Sequence, residues 1–517
     1  MPDVLHTIIA QARSGPELPA VRDLDRALDY AGLLDEVGRF GGGLRARGVG
    51  EGDRVGLLLP NSVDFVVAAL ASLWIGAIFV PLAVTDPEAR LQAIVDDCAP
   101  AVVVTADAPD ADPERSPSLG GSPRLTMAEV GAGVSDPTAP VEASPRVAYA
   151  IYTSGTTGTP KGVLIGSAAF GAAVEATSNA LGLDRSTRTL CVSPFYFDGS
   201  FGTLFPGLYS GGAVVIRPRE ALLFPRTFFN AVTNEGITYT GFSPSYLRLL
   251  LASPQLKSLA DSPLDVIALG GEASSISDVR ALWAAAPRIR VFNRYGPTET
   301  TIAVTHELLT PQNTADGIIP MGRPHPGVTF HLLDDDGSLI AGPDRIGELY
   351  IGGSQLMAGY WGAPALTDQV LRTDLAPGET VYRTGDLVYR NRAGSYVYMD
   401  RADRVIKRSG VRISLVELSE AMRSLSGVSA AACVTYDNEG ALGIVAFVVT
   451  DQPKTTLELQ QAARERLPDT MLPDRIELVE VLPLTKSSKL DERILLSEAG
   501  LTPLGPATVP VRAATSA

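Results

Sequence analysis

Short apolar runs alternating with helix-like stretches constrain this chain more than any other feature of it. Arg54–Leu59, Ala101–Thr105, Val147–Thr153, Ala213–Arg217 and Val266–Gly271 are each rich in aliphatic residues and separated by longer mixed segments. Runs without polar alternation suit strands buried on both faces, and helical spacers between them predict parallel β-α-β units. Phe65–Val84 carries no charge and is long enough on paper to cross a bilayer. Gly76 and Pro81 interrupt it and no basic residues flank it closely, so it reads as a buried helix followed by a strand, with no membrane partner.

At 517 residues the chain exceeds what one core can fill. The expected architecture is α/β: a large multi-subdomain N-terminal region over 1–400 with a small β-rich subregion, and a small mobile C-terminal α+β domain over 404–500. The β-rich part is read from Gly347–Gly353, Tyr382–Arg390 and Gly394–Asp400, where branched and aromatic residues are punctuated by glycine. The charged run Asp400 to Arg404 places a hinge near 401–403, and 501–517 should form a loose tail. Asp107–Pro145, rich in Pro, Ser, Asp and Gly, reads as a surface excursion.

A net charge of -15 argues against nucleic-acid partners, which need a concentrated Lys/Arg surface. Cys98, Cys191 and Cys433 are too far apart for a CxxC pair and fit a reducing, cytoplasmic setting. The first residues lack the parts of a signal peptide. His6, His306, His325 and His331 have no finger or HExxH spacing, so zinc is not expected, a stray His325/His331 pair being the one opening left for it.

Tyr152–Gly162 is the most informative segment. Thr153, Ser154, Gly155, Thr156, Thr157 and Gly158 let backbone and hydroxyl donors approach phosphate oxygens, and Lys161 adds a mobile positive charge. Pro160 stands where a Walker-type loop requires glycine, so that alternative is excluded. Taken alone, a shorter stretch of this composition would read as an ordinary turn.

This segment resembles the phosphate-loop signature of the adenylate-forming superfamily, which includes acyl-CoA synthetases, luciferases and nonribosomal peptide synthetase adenylation domains. Further matches follow in order: Asn293–Thr301, Gly347–Gly353, Tyr382–Asp386, Asp403 with Gly410–Ile413, and Pro483–Asp491. The resemblance covers nearly the whole chain. It implies ATP and Mg2+, with Glu299 holding magnesium, Thr298 donating to phosphate, Tyr295 stacking on adenine, and Asp386 and Arg401 reaching the ribose or phosphate. It implies that Lys489 assists attack of a carboxylate on the α-phosphorus, and that the small domain rotates about Asp403 between two half-reactions.

Phe195–Ser200 resembles the motif in which amino-acid-activating members hold the substrate ammonium with an aspartate, here Asp198. Carried across motif by motif, the substrate positions are Asp198, Gly199, Gly202, Gly241, Ala268, Gly270, Arg294, Ile302, Ala303 and Lys489. The glycines imply room. Arg294 is unusual, and either meets an acceptor on the substrate side chain or turns outward to a protein acid. The expected function is adenylation of an amino acid or related carboxylic acid, then transfer to a thiol. With no carrier segment found after the lysine motif, the acceptor is expected to be a separate phosphopantetheinylated carrier protein. An acyl- or aryl-CoA ligase is the alternative, and a silent nucleotide-binding paralogue is a third reading.

Overall fold

The computed structural model describes residues 3–107, 118–132, 134, 138–142, 146–154, 160–376, 378–402, 405–408, 411–438, 441–465, 467, 472–485 and 490–503. By internal contacts the chain forms two compact units, Met1–Thr384 with Arg390–Val397, and Gly385–Tyr389 with Tyr398–Ala517. The architecture is α/β, as the alternating runs require.

The first unit holds two eight-stranded sheets. In one, Tyr239–Phe242, Val266–Leu269 and Arg290–Tyr295 run parallel, with Gly241 beside Ala268 and Ala268 beside Phe292. Their carboxyl ends therefore finish together, the edge at which open α/β sheets bind ligands. In the other sheet, Val147–Ser154 folds back on Pro160–Gly166 with Thr153 opposite Lys161.

The charge-free stretch is interior. Helix Val63–Trp74, capped by Ser62, buries every residue except Asp64, and the next strand, Ile78–Pro81, is wholly buried. Among the described residues no helix is long and apolar enough to cross a membrane.

Helix Asp198–Tyr209 packs among residues of both sheets, in one core with Phe79, Tyr149 and Val214. Phe201 lies 5.2 Å from the Tyr149 ring, edge to face, and 5.3 Å from Phe205 one turn along its own helix. Each such aromatic contact adds about 1 kcal/mol beyond area burial. The helix, and the residue that opens it, is thereby fixed in place.

Within Asp107–Pro145 the described residues include regular elements that its composition does not suggest. Ser122–Thr126 pairs parallel with Val102–Thr105, and Met127–Gly131 begins with a reciprocal cap between Thr126 and Glu129. A polar strand near the sheet's edge, paired also with Ser118–Leu119, is held by ladder hydrogen bonds rather than by an apolar pattern, so composition hides it.

In the second unit, Val428–Asn438 and Ala441–Thr450 form an antiparallel pair extended by parallel Arg475–Leu478. Helix Leu415–Arg423 contributes Leu418 and Met422 to a core with Ile444 and Val448. Asp403, expected as the hinge, and residues 504–517 of the expected tail lie outside the described residues.

Candidate active site

Asp198 opens its buried helix, where the unsatisfied N–H groups of the first turn favour negative charge. Its Oδ2 is buried without a hydrogen-bond partner. Desolvation raises the carboxyl to about 6, opposed by a hydrogen bond from the Thr298 hydroxyl, assisted by the nearby Glu299 charge, and opposed again by the Gly199 N–H and by Arg294. Ammonium binding needs the ionised form. Amino-acid kcat/KM is therefore expected to fall as pH drops through about 6, roughly tenfold per unit below it. A profile flat from pH 7 to 5 would show that Asp198 does not carry the ammonium.

The glycines do not leave room. A Cβ on Gly270 would lie 2.4 Å from Arg294 Cγ, one on Gly202 3.0 Å from Arg294 Nη1, and one on Gly241 3.4 Å from the same nitrogen. The space released by the missing side chains is filled by Arg294, which turns inward and is 8% exposed. Among the described residues no carboxylate lies within ion-pair distance of it, and its Nη1 is buried without an acceptor. Ala268 and Ala303 are buried, and Ile302 sits over Gly202, its Cγ2 being 2.6 Å from a Cβ placed there.

Thr301 and Ile302 both have positive φ, 60° and 69°. That is a costly conformation for branched residues. It is held by Gln355: its carbonyl accepts from Thr301 Oγ1 at 2.7 Å, and its Nε2 donates to Ala303 O at 2.7 Å. The turn closes on Gly296, where a Cβ would meet Ala303 Cα at 2.5 Å and Ile302 O at 2.9 Å. Gly296→Ala is expected to cost about 2 kcal/mol through this clash, read as a lowered urea midpoint; an unchanged midpoint would mean the turn is softer than argued.

Lys161 and Glu299, distant in sequence, are joined by Tyr360. The Tyr360 hydroxyl donates to Glu299 Oε1 at 2.8 Å, and Lys161 Nζ stands 5.7 Å from the Tyr360 ring centroid. The backbone supports this link, since Trp361 N–H donates to Gly162 O and Met357 N–H to Glu299 O. No motif pointed to Tyr360 or Gln355. A single carboxylate with one oxygen held by a hydroxyl fits magnesium shared with phosphate, a cation that takes only one or two protein carboxylates. Among the described residues no cluster of three or more His, Cys, Asp or Glu could form a dedicated metal cage. His325 does not pair with His331: it shares a ring-to-ring hydrogen bond of 2.9 Å with His306, while His331 meets Glu379.

Half-buried Thr153 and Tyr295 also lie in the first unit, at the ends of strands paired with Pro160–Gly166 and Thr305–Leu308. Asp386 and Arg401 belong to the second unit and face one another at 3.5 Å. Gly385, at φ +73°, passes so close that a Cβ would be 2.9 Å from Arg401 Nη2. Asp400 is fully buried and accepts the backbone N–H groups of Arg401 and Val416, which gives it a structural task at the start of a helix. Ser154 ends its strand, and nothing is described of its side chain; Gly155, Thr156, Thr157, Gly158, Asp403 and Lys489 lie outside the described residues.

Asp198, with a buried carboxylate oxygen, and buried Arg294, at the carboxyl edge of a parallel sheet and in one unit with a hairpin bearing a lysine, suit a nucleotide-using α/β enzyme. Residues 8–361 match the family model for AMP-binding enzymes, and residues 417–489 that for the AMP-binding enzyme C-terminal domain. The chain belongs to the AMP-binding enzyme family, the adenylate-forming superfamily whose motifs it carries. A linear gramicidin synthase chain of Brevibacillus parabrevis is 33% identical over 499 residues, covering 95% of this chain and 10% of that protein. AMB antimetabolite synthetase AmbB of Pseudomonas aeruginosa is 34% identical over 502 residues, covering 95% of this chain and 39% of that protein. A crystal structure of a holo four-domain nonribosomal peptide synthetase bound to AMP and glycine superposes with a TM-score of 0.84 at 28% identity, covering 95% of this chain and 36% of that one. The chain thus spans only 10% to 39% of the length of these relatives.

Proposed function

We propose that the chain adenylates an amino acid at the expense of ATP and passes the aminoacyl group to the phosphopantetheine thiol of a separate carrier protein. The observation that carries the reading is Asp198: a carboxylate at a helix N-terminus, with one oxygen buried and unpartnered, suits an ammonium and not an aryl or fatty chain. The names of the peptide-synthetase relatives support it. In the first step a substrate carboxylate oxygen bonds to the α-phosphorus as the bond to pyrophosphate breaks. In the second, a thiolate attacks the acyl carbon and AMP leaves with its electron pair.

Lys161 and the hydroxyl-rich segment before it would receive the triphosphate, and Thr298 would switch from Asp198 to a phosphate oxygen. Glu299 would hold Mg2+, which when bound neutralises charge on the phosphates. Lys489 would meet both carboxylate and phosphate, and Asp386 with Arg401 the ribose. Rotation near residues 401–403, about Asp403, would exchange the two half-reactions in one site.

The test is ATP–pyrophosphate exchange over amino, aryl and fatty acids, followed by thioester formation on a holo carrier and on CoA. Exchange confined to amino acids, with a thioester on the carrier, is expected. Turnover with CoA alone would favour an acyl- or aryl-CoA ligase, and ATP binding without exchange would mark a silent paralogue.

A further inference from the structure

Arg294 sits in the substrate pocket as a positive charge that the described residues do not balance. Its neighbours explain why. The Tyr239 hydroxyl, near the guanidinium, donates to Gly202 O at 2.9 Å. His306, opposite Arg294 in the strand pair, is neutral, and its tautomer can be read from a hydrogen-bond chain. Gln355 Nε2 donates to Ala303 O, so Oε1 must accept from His325 Nδ1 at 3.0 Å. His325 Nε2 then accepts from His306 Nδ1 at 2.9 Å. Asp198 stands beyond ion-pair distance, is bonded by Thr298, and in the proposed function is taken up by the substrate ammonium.

A second unpartnered atom lies at the same place. Thr203 Oγ1 is buried without a hydrogen bond, and a Cβ on Gly241 would be 2.6 Å from it and 3.4 Å from Arg294 Nη1. The neutral Tyr239 hydroxyl stands at the same point, 3.4 Å from that Cβ, and among the described residues no anion accompanies it there. A buried guanidinium left unpaired is costly, and the cost is relieved when an anion is bound. The guanidinium also occupies the volume above Gly202, Gly241 and Gly270, which leaves depth for a short side chain only.

We infer that Arg294, with Thr203, selects an amino acid whose short side chain ends in a carboxylate, an amino dicarboxylic acid about the size of aspartate. This rests on the amino-acid reading of Asp198. Charge then balances in the pocket, with ammonium against Asp198, one carboxylate against Arg294, and the other carboxylate activated. Arg294 acts as a specificity-determining residue.

The experiment is pyrophosphate exchange by the full chain with aspartate, asparagine, 2-aminobutyrate, glutamate and phenylalanine, and with benzoate and octanoate as an aryl and a fatty acid. Aspartate is expected to exceed 2-aminobutyrate, which matches its shape without the anion, by about 10²-fold or more in kcat/KM, and asparagine by about tenfold. Arg294→Met keeps a stem to pack on Gly270 and removes the charge. It is expected to cut the aspartate value about 10²-fold and to raise that of the apolar acids. Equal or better exchange with 2-aminobutyrate or asparagine in the unaltered enzyme would overturn the inference, as would an unchanged ranking in Arg294→Met. Exchange supported by aryl or fatty acids and by no amino acid would instead sink the reading of Asp198.

Discussion

Asp198→Asn is expected to reduce amino-acid-dependent pyrophosphate exchange about 10²-fold in kcat/KM while leaving ATP affinity within a few-fold. Asparagine keeps the shape of the side chain and its contact with Thr298, so only the charge is lost. At ~4 Å and an effective dielectric near 20, carboxylate and ammonium attract by about 4 kcal/mol before desolvation. Truncating one partner of a buried charged pair costs ~2 to 5 kcal/mol, and about 3 kcal/mol corresponds to a loss of that size. The acid limb near pH 6 should vanish in the same variant. Equal loss of ATP binding would place Asp198 in the nucleotide site or in the fold itself.

The larger effect is expected for Lys489→Ala. In the proposed function Lys489 would meet the carboxylate and the α-phosphate, where negative charge gathers as the new P–O bond forms. Preorganised donors at such a point contribute about 10² to 10³ in rate when removed singly. Rapid-quench measurement of adenylate formation should show a loss of that size, with ATP binding changed only a few-fold. Lys489→Arg should not restore the rate, because a planar fork cannot stand in for a compact ammonium. If thioester formation from preformed adenylate falls as far as adenylate formation, the lysine serves both half-reactions and the assignment is too narrow.

The pocket shows where reading residues in order succeeds and where it stops. Asp198 was legible because it follows an aromatic run and opens an apolar segment. Burial of that segment then fixes its N-terminal carboxylate. Lys161 and Glu299 were legible as separate motifs, but their link through Tyr360 was not: a tyrosine at a two-residue strand, Gly359–Tyr360, carries no local signal. Gln355 was invisible for the same reason, since it is a lone amide whose partners lie far along the chain.

Arg294 is the sharpest case. Its substrate position was carried across by resemblance and the oddity of a guanidinium among glycines was readable, yet both an inward and an outward course were open. The glycines suggested an empty pocket, and the structure fills that space with the arginine itself. The order of apolar runs and motifs determined the α/β class, the family, and the residues proposed to handle nucleotide and ammonium, because those signals are carried by neighbours in the chain. The direction of Arg294, the bridge from Lys161 to Glu299, and the positive-φ turn at Thr301 and Ile302 depend on side chains from separate strands competing for the same volume. Only tertiary packing brings those competitors together, and so it alone could decide them.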